Sequence, residues 1–559
     1  MKKDGKGDSG NQLIISFCRY LKNYKLHCCA LSLCILLTLS TLAFQPIIWS
    51  SLLSTLYRKN FEQFKVTLII TVIFYLLKIL ISYLQSRVTI YLKVNLVRDL
   101  QNNLFQKLLN KQMKYFDNTP IGKTMSVLST DIEQAVEILF GKLLPASVSC
   151  LQVLLFLILM LNLSFLLTLF SLLSLPVIII YYNKKMRQVR SQQVDVKESN
   201  DSVLSFIQQS ILGMKVVKTL GVKEAQNTQF TNLVNFKKKN VYSLQTLIVI
   251  FQTFISMLGV LGEIANYLLG GYFVFIGSLT VEGFIQFSSY SQEFNSSSLS
   301  VTNIAGSYQQ LLVSLDRIES IKNNGLDDEH FGDVFINDYK NPSLKLVDVK
   351  CEKMGRIILD DINLELNDIG LYVFMGDSGS GKTTLINHIL KLYDVMSGEI
   401  LINDKSIDMI SEKSLRDEIS LVNQQVFSFC GSIIDNFRYV SPRIKLSEIR
   451  DYCSECGIDR EIMDLPKQYE TKILENGNNF SVGQLQRLSI AIALAKDTSI
   501  IVFDEPTSAL DSSNRLKIKA IIDRLSLSKM VILITHDTDI VENAVAKFSI
   551  KEKQIYQMN

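Results

Sequence analysis

Gly376-Asp377-Ser378-Gly379-Ser380-Gly381-Lys382-Thr383-Thr384 fits the pattern GxxxxGK[ST]. It stands between an apolar run, Leu371–Met375, and a helix-forming stretch, Leu385–Leu392. That strand–loop–helix context is what a phosphate-cradling loop requires. Its glycines let backbone N–H groups turn inward onto phosphate oxygens, at the positive end of the following helix. Lys382 then reaches the β- and γ-phosphates of ATP, and the Thr383 hydroxyl takes a place on Mg²⁺. Further along, Ile500-Ile501-Val502-Phe503 reads as a buried strand that ends in two carboxylates, Asp504 and Glu505. Asp504 is suited to hold Mg²⁺ through water, and Glu505 to orient or deprotonate an attacking water. Such a pair is weak evidence alone and strong evidence downstream of a phosphate loop.

Groups of this kind need a scaffold. From about Leu344 short β-rich runs alternate with helical stretches, the pattern of an α/β nucleotide-binding domain. Upstream the pattern is different. Apolar runs of about 20 residues, long enough to cross a bilayer, recur near Leu26–Trp49, Val66–Leu84, Leu143–Leu161, Phe165–Tyr182, Leu247–Tyr267 and Phe273–Tyr290. Glu263 and Glu282 interrupt the last two, and Gly270-Gly271 blurs their boundary. The expected fold is a multi-domain membrane protein. An all-α transmembrane domain of six long helices occupies 1–320, a linker 321–343, and an α/β P-loop NTPase domain 344–559. The polar, acidic stretch Gly325–Pro342 marks the linker.

The formal net charge of +4 on 559 residues conceals a division. Residues 1–325 hold 31 Lys+Arg against 17 Asp+Glu, and residues 326–559 hold 27 against 37. The basic residues cluster before the first run (Lys2, Lys3, Lys6, Arg19, Lys22, Lys25), between the second and third, and between the fourth and fifth. By the positive-inside rule both termini and the two long basic connections face the cytoplasm, in a cytoplasmic membrane. Membrane lipids with anionic headgroups are then the neighbours of this charge, and nucleic acid is not a partner. The first run is long and lacks a small-residue cleavage pattern, unlike a signal peptide. Cys453-Ser454-Glu455-Cys456 is a lone CxxC without a second pair, so the nine cysteines read as structural. Lys78 and Glu263 lie inside spans at a similar depth, where ionisable groups pair with each other or meet cargo. Gln45-Pro46 should kink the first span.

Phe480-Ser481-Val482-Gly483-Gln484, followed by Leu485-Gln486-Arg487 shortly before Asp504-Glu505, resembles the signature motif of ATP-binding cassette (ABC) proteins. Ser508-Ala509-Leu510-Asp511 looks like their D-loop. His536 in Ile534-Thr535-His536-Asp537 looks like the switch histidine, and Gln424 in Val422-Asn423-Gln424-Gln425 like the Q-loop glutamine. In the membrane half, Arg98, Leu108-Leu109, Tyr115-Phe116-Asp117, Pro120-Ile121-Gly122 and Gly277–Gly283 are similar to stretches of ABC exporters that carry the membrane domain first.

The resemblance implies two ATPase domains facing head to tail. ATP would lie between Lys382 of one and Ser481 and Gly483 of the other, with Gln484 and Asp511 also at the nucleotide. It implies Glu505, His536 and Gln424 as the catalytic set, and Thr383, Gln424 and Asp504 around Mg²⁺. One chain supplies one half, so the partner is a second half-transporter: a homodimer is favoured and a heterodimer is the alternative. Cytoplasmic turns around Lys114–Thr119 and Gln209–Val222 would relay the nucleotide state as coupling helices.

Three positions depart from the family pattern. Val482 replaces the first glycine of the signature, Lys353 stands where an adenine-stacking aromatic is usual (Arg356 offers a substitute), and Ile492 stands where an arginine often follows the signature. Slow but real hydrolysis is the expectation. The cargo favoured is a peptide or other amphipathic molecule. A lipid flippase or multidrug exporter is the alternative, and an ATP-gated channel or regulator a third reading.

Overall fold

The structure is a computed structural model. It describes residues 19–558 except 120, 303, 323–327, 337–341, 354, 378, 425–427, 475–476, 508–509 and 537–542. Ser378, Ser508, Ala509, Gln425, Asp537 and Pro120, named above in motifs, lie outside the described residues, as do Lys2, Lys3, Lys6 and residues 323–327 and 337–341 of the expected linker. The chain divides into two compact units: residues up to Leu108 with Gly122–Asn323, and Leu109–Ile121 with Asn324–Asn559.

The first unit is helical. Its elements include α1 (Lys25–Tyr57), α2 (Phe61–Leu109), α4 (Leu144–Leu163), α5 (Phe165–Leu172), α6 (Ser174–Leu212), α7 (Met214–Thr219), α8 (Lys223–Phe275), α9 (Val281–Thr302) and α10 (Ile304–Lys322), while α3 (Met113–Asn118) belongs to the second unit. Helix α2 has 49 residues, about 70 Å at 1.5 Å per residue, far longer than a bilayer core.

Four helical stretches among the described residues are long and apolar enough to cross a membrane: Arg19–Tyr57, Phe61–Leu109, Thr124–Leu163 and Lys223–Phe275. The other two expected spans take a different form. The Phe165–Tyr182 run is broken by a turn at Leu173, between α5 and α6. The Phe273–Tyr290 run is interrupted by the turn Ile276–Thr280, so the last span begins at Val281. Helix α9 is rich in Ser, Gln and Asn because its packing face is sheltered. Phe287, Tyr290 and Phe294 are buried against Phe156, Met160 and Leu167, and a helix shielded by protein need not be apolar all round.

Polar side chains tie these helices together. Ser171 Oγ donates to Asn266 Oδ1 at 2.9 Å, and Asn266 Nδ2 donates to Ser291 Oγ at 3.0 Å, all three buried. Pro46 lies inside α1. Tyr290 Oη donates to the Ala43 carbonyl at 2.7 Å, in the turn where a proline loosens the helical ladder. Lys78 does not meet Glu263. Its Nζ donates to Gln45 Oε1 at 2.5 Å across the α1–α2 seam, one helical repeat from Thr38 Oγ1, which donates to Gln85 Oε1 at 2.9 Å. Arg58 and Glu282 form an ion pair at 3.2 Å, which brings the α1–α2 turn to the start of α9.

In the second unit, β1 (Ser343–Lys353), β2 (Arg356–Asn367), β4 (Ser397–Ile402) and β5 (Lys405–Ser406) form an antiparallel sheet in the order β2-β1-β4-β5. A six-stranded sheet contains β3 (Gly370–Met375), β6 (Ile419–Val422), β9 (Ile500–Asp504), β10 (Met530–Ile534), β11 (Ala546–Lys551) and β12 (Gln554–Met558), in the order β12-β11-β3-β10-β9-β6. A two-stranded ribbon pairs β7 (Gly431–Ser432) with β8 (Lys472–Ile473). Strands β9 and β10 are fully buried apolar runs apart from Asp504, as a parallel strand covered on both faces should be.

Candidate ATP site

Strands β3, β10, β9 and β6 run parallel and side by side. Their C-terminal ends therefore deliver four segments to one edge, the position at which open α/β sheets bind ligands. After β3 comes the phosphate loop, after β10 His536, after β9 Glu505, and after β6 Gln424.

The loop turns sharply into helix α11 (Lys382–Ile389). Gly381 has φ +107°, and a Cβ there would stand 2.8 Å from Ile358 Cγ2. Gly376 has φ +152°, and a Cβ would stand 2.7 Å from the Ile550 carbonyl. Both positions need glycine on conformation and on space. Lys382 is buried, and its Nζ donates to the carbonyls of Gly376 at 2.6 Å and Asp377 at 2.9 Å. Burial pushes its ammonium below the ordinary lysine value, against the pull of Glu505, Asp504 and Asp377. The Ser380 N–H donates to the Asp377 carbonyl at 3.1 Å, while Ser380 Oγ is buried with no hydrogen-bond partner among the described residues. Gly379 has φ +83° with open space around it. The Thr384 carbonyl accepts from His388 Nδ1 if that nitrogen carries the proton, at 2.8 Å.

Thr383 Oγ1 donates to Asp504 Oδ2 at 3.2 Å. Burial raises the Asp504 carboxyl above the usual range, helped by neighbouring Glu505 and opposed by Thr383 and Lys382. Glu505, the next residue, sits in left-handed backbone at φ +50°, a conformation that costs about 1 kcal/mol or more and that accumulates at functional sites. Its N–H donates to the Ile534 carbonyl at 2.9 Å. Its side chain is held from both flanks: Gln424 Nε2 donates to Oε2 at 2.6 Å, and His536 Nε2 lies 3.3 Å from Oε1. Residues from three separate strands thus meet on one carboxylate.

The signature segment stands apart from this cluster. Ser481 caps helix α13 (Val482–Ala495), after α12 (Leu446–Glu455), through a capping box: its Oγ accepts from the Gln484 N–H at 3.2 Å, and Gln484 Oε1 accepts from the Ser481 N–H at 2.8 Å. Gln484 Nε2 donates to Glu461 at 2.8 Å, and Arg487 pairs with the same carboxylate at 2.8 Å. Glu461 was not legible in the sequence, because nothing in its spacing links it to the motif. Ser481 and Val482 are exposed, Gly483 is half-buried, and Val482 is 64% exposed, so its extra bulk points outward from this chain. Ile492 packs against the core. Asp511 precedes α14 (Ser512–Leu525) and accepts from Asn514 Nδ2 at 2.6 Å and Ser513 Oγ at 3.0 Å. Lys353 and Arg356 face each other as cross-strand partners at the exposed end of the β1–β2 hairpin.

Of the two turns expected to face the cytoplasm, the first lies within the second unit. In α3 Tyr115 is buried, Asp117 accepts from Tyr393 Oη at 2.6 Å, and Gln112 Nε2, just before the helix, donates to Asp394 at 2.6 Å. The second, α7 with its flanks, exposes Ile211, Leu212, Met214, Val216 and Leu220. Cys453 and Cys456 are buried thiols, both raised by burial, Cys453 to about 12. Among the described residues no group of His, Cys, Asp and Glu is arranged to hold a metal by itself.

Fold and site together define a P-loop ATPase cassette carried on a helical membrane domain. Residues 29–298 match the ABC transporter transmembrane region, and residues 359–508 match the ABC transporter family. Over 549 residues the chain is 27% identical to an ATP-dependent lipid A-core flippase of Syntrophus aciditrophicus, covering 96% of this chain and 90% of that one. It is 26% identical over 499 residues to a fatty acid ABC transporter ATP-binding/permease protein of Mycobacterium tuberculosis, covering 87% and 77%. Its fold is similar to a bacterial Atm1-family ABC exporter with ATP bound, at a TM-score of 0.81 and 18% identity, over 95% of this chain and 94% of the other. The chain belongs to the ABC transporters, as an exporter-type transmembrane region fused to a C-terminal ATPase domain that couples ATP hydrolysis to transport.

Proposed function

We propose that this chain is one half of a homodimeric pump that exports an amphipathic substrate across the cytoplasmic membrane by alternating access. The observation that carries the reading is the Gln424–Glu505–His536 cluster beside Thr383 and Asp504. Gln424 and His536 flank the carboxylate expected to act as general base, which supports a pump over a gated channel.

The residues fit MgATP. The phosphate loop has room only for glycine at two turns, a buried lysine and an unpartnered buried hydroxyl. The Thr383 and Asp504 oxygens, 3.2 Å apart, suit a divalent cation, which when bound would offset phosphate charge. Lys382 and Ser380 would bind phosphate oxygens. Glu505 would take the proton of the attacking water, His536 would hold that carboxylate and the water in line, and Gln424 would report the nucleotide state. The exposed Ser481 and Gly483 would complete the site of a second copy. ATP would then bind the closed dimer better than the open one, as a ligand must to shift an equilibrium.

Lysines and arginines at the helix ends support cytoplasmic termini. The first turn, docked at Tyr393 and Asp394, and the apolar second turn around Met214 and Val216 would act as coupling helices. For cargo, Lys78 against neutral Gln45 offers an intramembrane cation with no carboxylate paired to it among the described residues, suited to an amphiphile with an anionic head. The lipid A and fatty acid relatives favour that class. A peptide is the second reading, supported by the exposed polar side chains of Gln252 and Ser256 along α8. Uptake into inside-out vesicles, comparing a labelled acyl phospholipid with an amphipathic peptide, tests both. ATP-dependent concentration of neither overturns the export reading.

A further inference from the structure

The chain passes between its two units three times in sequence: where α2 ends at Leu109, after α3 at Ile121, and after α10 ends at Lys322. Within the second unit the first and last of these crossings are joined to each other. Lys111 Nζ meets Asp328 Oδ1 at 2.5 Å with the lysine side chain 1% exposed, and the Glu329 N–H donates to the Asn110 carbonyl at 2.8 Å. Residues 328–336 then run extended along the ATPase core. Gly332 and Val334 donate to the carbonyls of Ile410 and Met409 at 3.1 and 2.9 Å, Ser411 donates to the Val334 carbonyl at 2.9 Å, and Ile336 to Ser414 Oγ at 2.9 Å. The approach at Gly332 is close enough that a Cβ would stand 2.1 Å from the Met409 carbonyl oxygen.

Phe331 is the one aromatic ring clamped in this run. Lys391 Nζ lies 4.9 Å and the Arg416 guanidinium 5.5 Å from its centre, within the range of cation–π attraction. Both cations are themselves fixed. Lys391 donates to the Ile407 carbonyl at 3.2 Å and pairs with Asp408 at 2.9 Å, and Arg416 donates to the Leu390 carbonyl at 2.6 Å. Leu390 and Lys391 close α11, whose opposite end carries Lys382 and Thr383. Tyr393 and Asp394, just beyond, hold Asp117 and Gln112. The eight residues of α11, a rod of about 12 Å, thus have phosphate chemistry at one end and segments next to the chain crossings at the other.

We propose that residues 328–336 form a strap and that Phe331 is a positioning residue. By pinning the strap to the C-terminal end of the phosphate-loop helix, it lets nucleotide-driven movement of that helix pull on the membrane spans through the first and last crossings at once. This role rests on the proposed ATP-driven closure, which needs nucleotide binding and no hydrolysis, and is independent of the cargo.

The chain's single tryptophan, Trp49, lies in the first span and serves as a native reporter. The experiment uses the full-length protein in phospholipid nanodiscs with MgATP as probe, on a Glu505→Gln background, reading Trp49 emission and nucleotide affinity together. Phe331→Ala should cut the amplitude of the ATP-dependent emission change at least fivefold while the nucleotide Kd stays within twofold. Phe331→Tyr, which keeps a ring within reach of the two cations, should restore it, and Phe331→Leu should not. Lys391→Met removes one of the two cations with the ring in place and should cut the amplitude at least twofold; it is the variant to read if Phe331→Ala does not assemble. A full Trp49 response in Phe331→Ala and Lys391→Met overturns the proposal. So does a loss of response that tracks weaker nucleotide binding, because Phe331 then serves only the fold of the ATPase.

Discussion

Gln424 donates to Glu505 at 2.6 Å, so the glutamine at the end of β6 and the carboxylate at the end of β9 form one unit across adjacent strands. A change at either residue is therefore felt by the other.

Glu505→Gln keeps the side-chain shape and removes the base. ATP hydrolysis should fall by about 10²- to 10⁴-fold while ATP remains bound, measured as phosphate release and retained nucleotide. A variant that hydrolyses at the parent rate would show that another group activates the water.

His536 lies 3.3 Å from the same carboxylate, so its contribution passes largely through Glu505. His536→Ala should slow turnover about 10-fold or more in the parent, yet add little in the Glu505→Gln background. Fully multiplicative losses in the double variant would mean that the two residues act independently.

Cys453 and Cys456 are buried with thiols pushed upward, Cys453 to about 12, whereas Cys430 is exposed. Iodoacetamide at pH 8 should label Cys430 and spare the other two until the ATPase domain is denatured. The sign of the linkage follows. An unfolded thiol ionises near 8.5 and the folded Cys453 thiol only near 12, so Cys453 lowers stability progressively as pH rises through that window. Rapid native labelling of Cys453 would contradict its burial.

Asn266 bridges Ser171 and Ser291 inside the membrane unit. Asn266→Ala should leave both hydroxyls without their shared partner, at a cost of about 1 kcal/mol, read as a lower unfolding midpoint in detergent. No shift would mean that the serines find other partners readily.

The candidate ATP site was legible because its parts are contiguous in sequence: a phosphate loop between strand and helix, and a carboxylate pair closing an apolar strand. The convergence of Gln424, Glu505 and His536 followed from the order of the parallel strands, which the resemblance implied and spacing alone did not fix. The membrane unit was less legible. Hydropathy finds helices that face lipid, so α9, sheltered by Phe156 and Met160, was drawn too early along the chain. Lys78 was weighed against Glu263 by depth, but depth ignores direction around the helix, and Gln45 is the neighbour it reaches. Phe331 gave no signal, because a clamp of two cations from distant segments leaves no local pattern.

The segment Leu109–Ile121 belongs structurally to the ATPase although more than 200 residues separate it from the rest of that unit. A cassette excised from the C-terminal half of the gene would thus be born with a missing tile. Asp328, Tyr393 and Asp394 would face water where Lys111, Asp117 and Gln112 belong. For this family member, the unit that can be moved between proteins by recombination is larger than the ATPase and is split along the chain. A swap that preserves it must carry the short helix Met113–Asn118 along with the cassette.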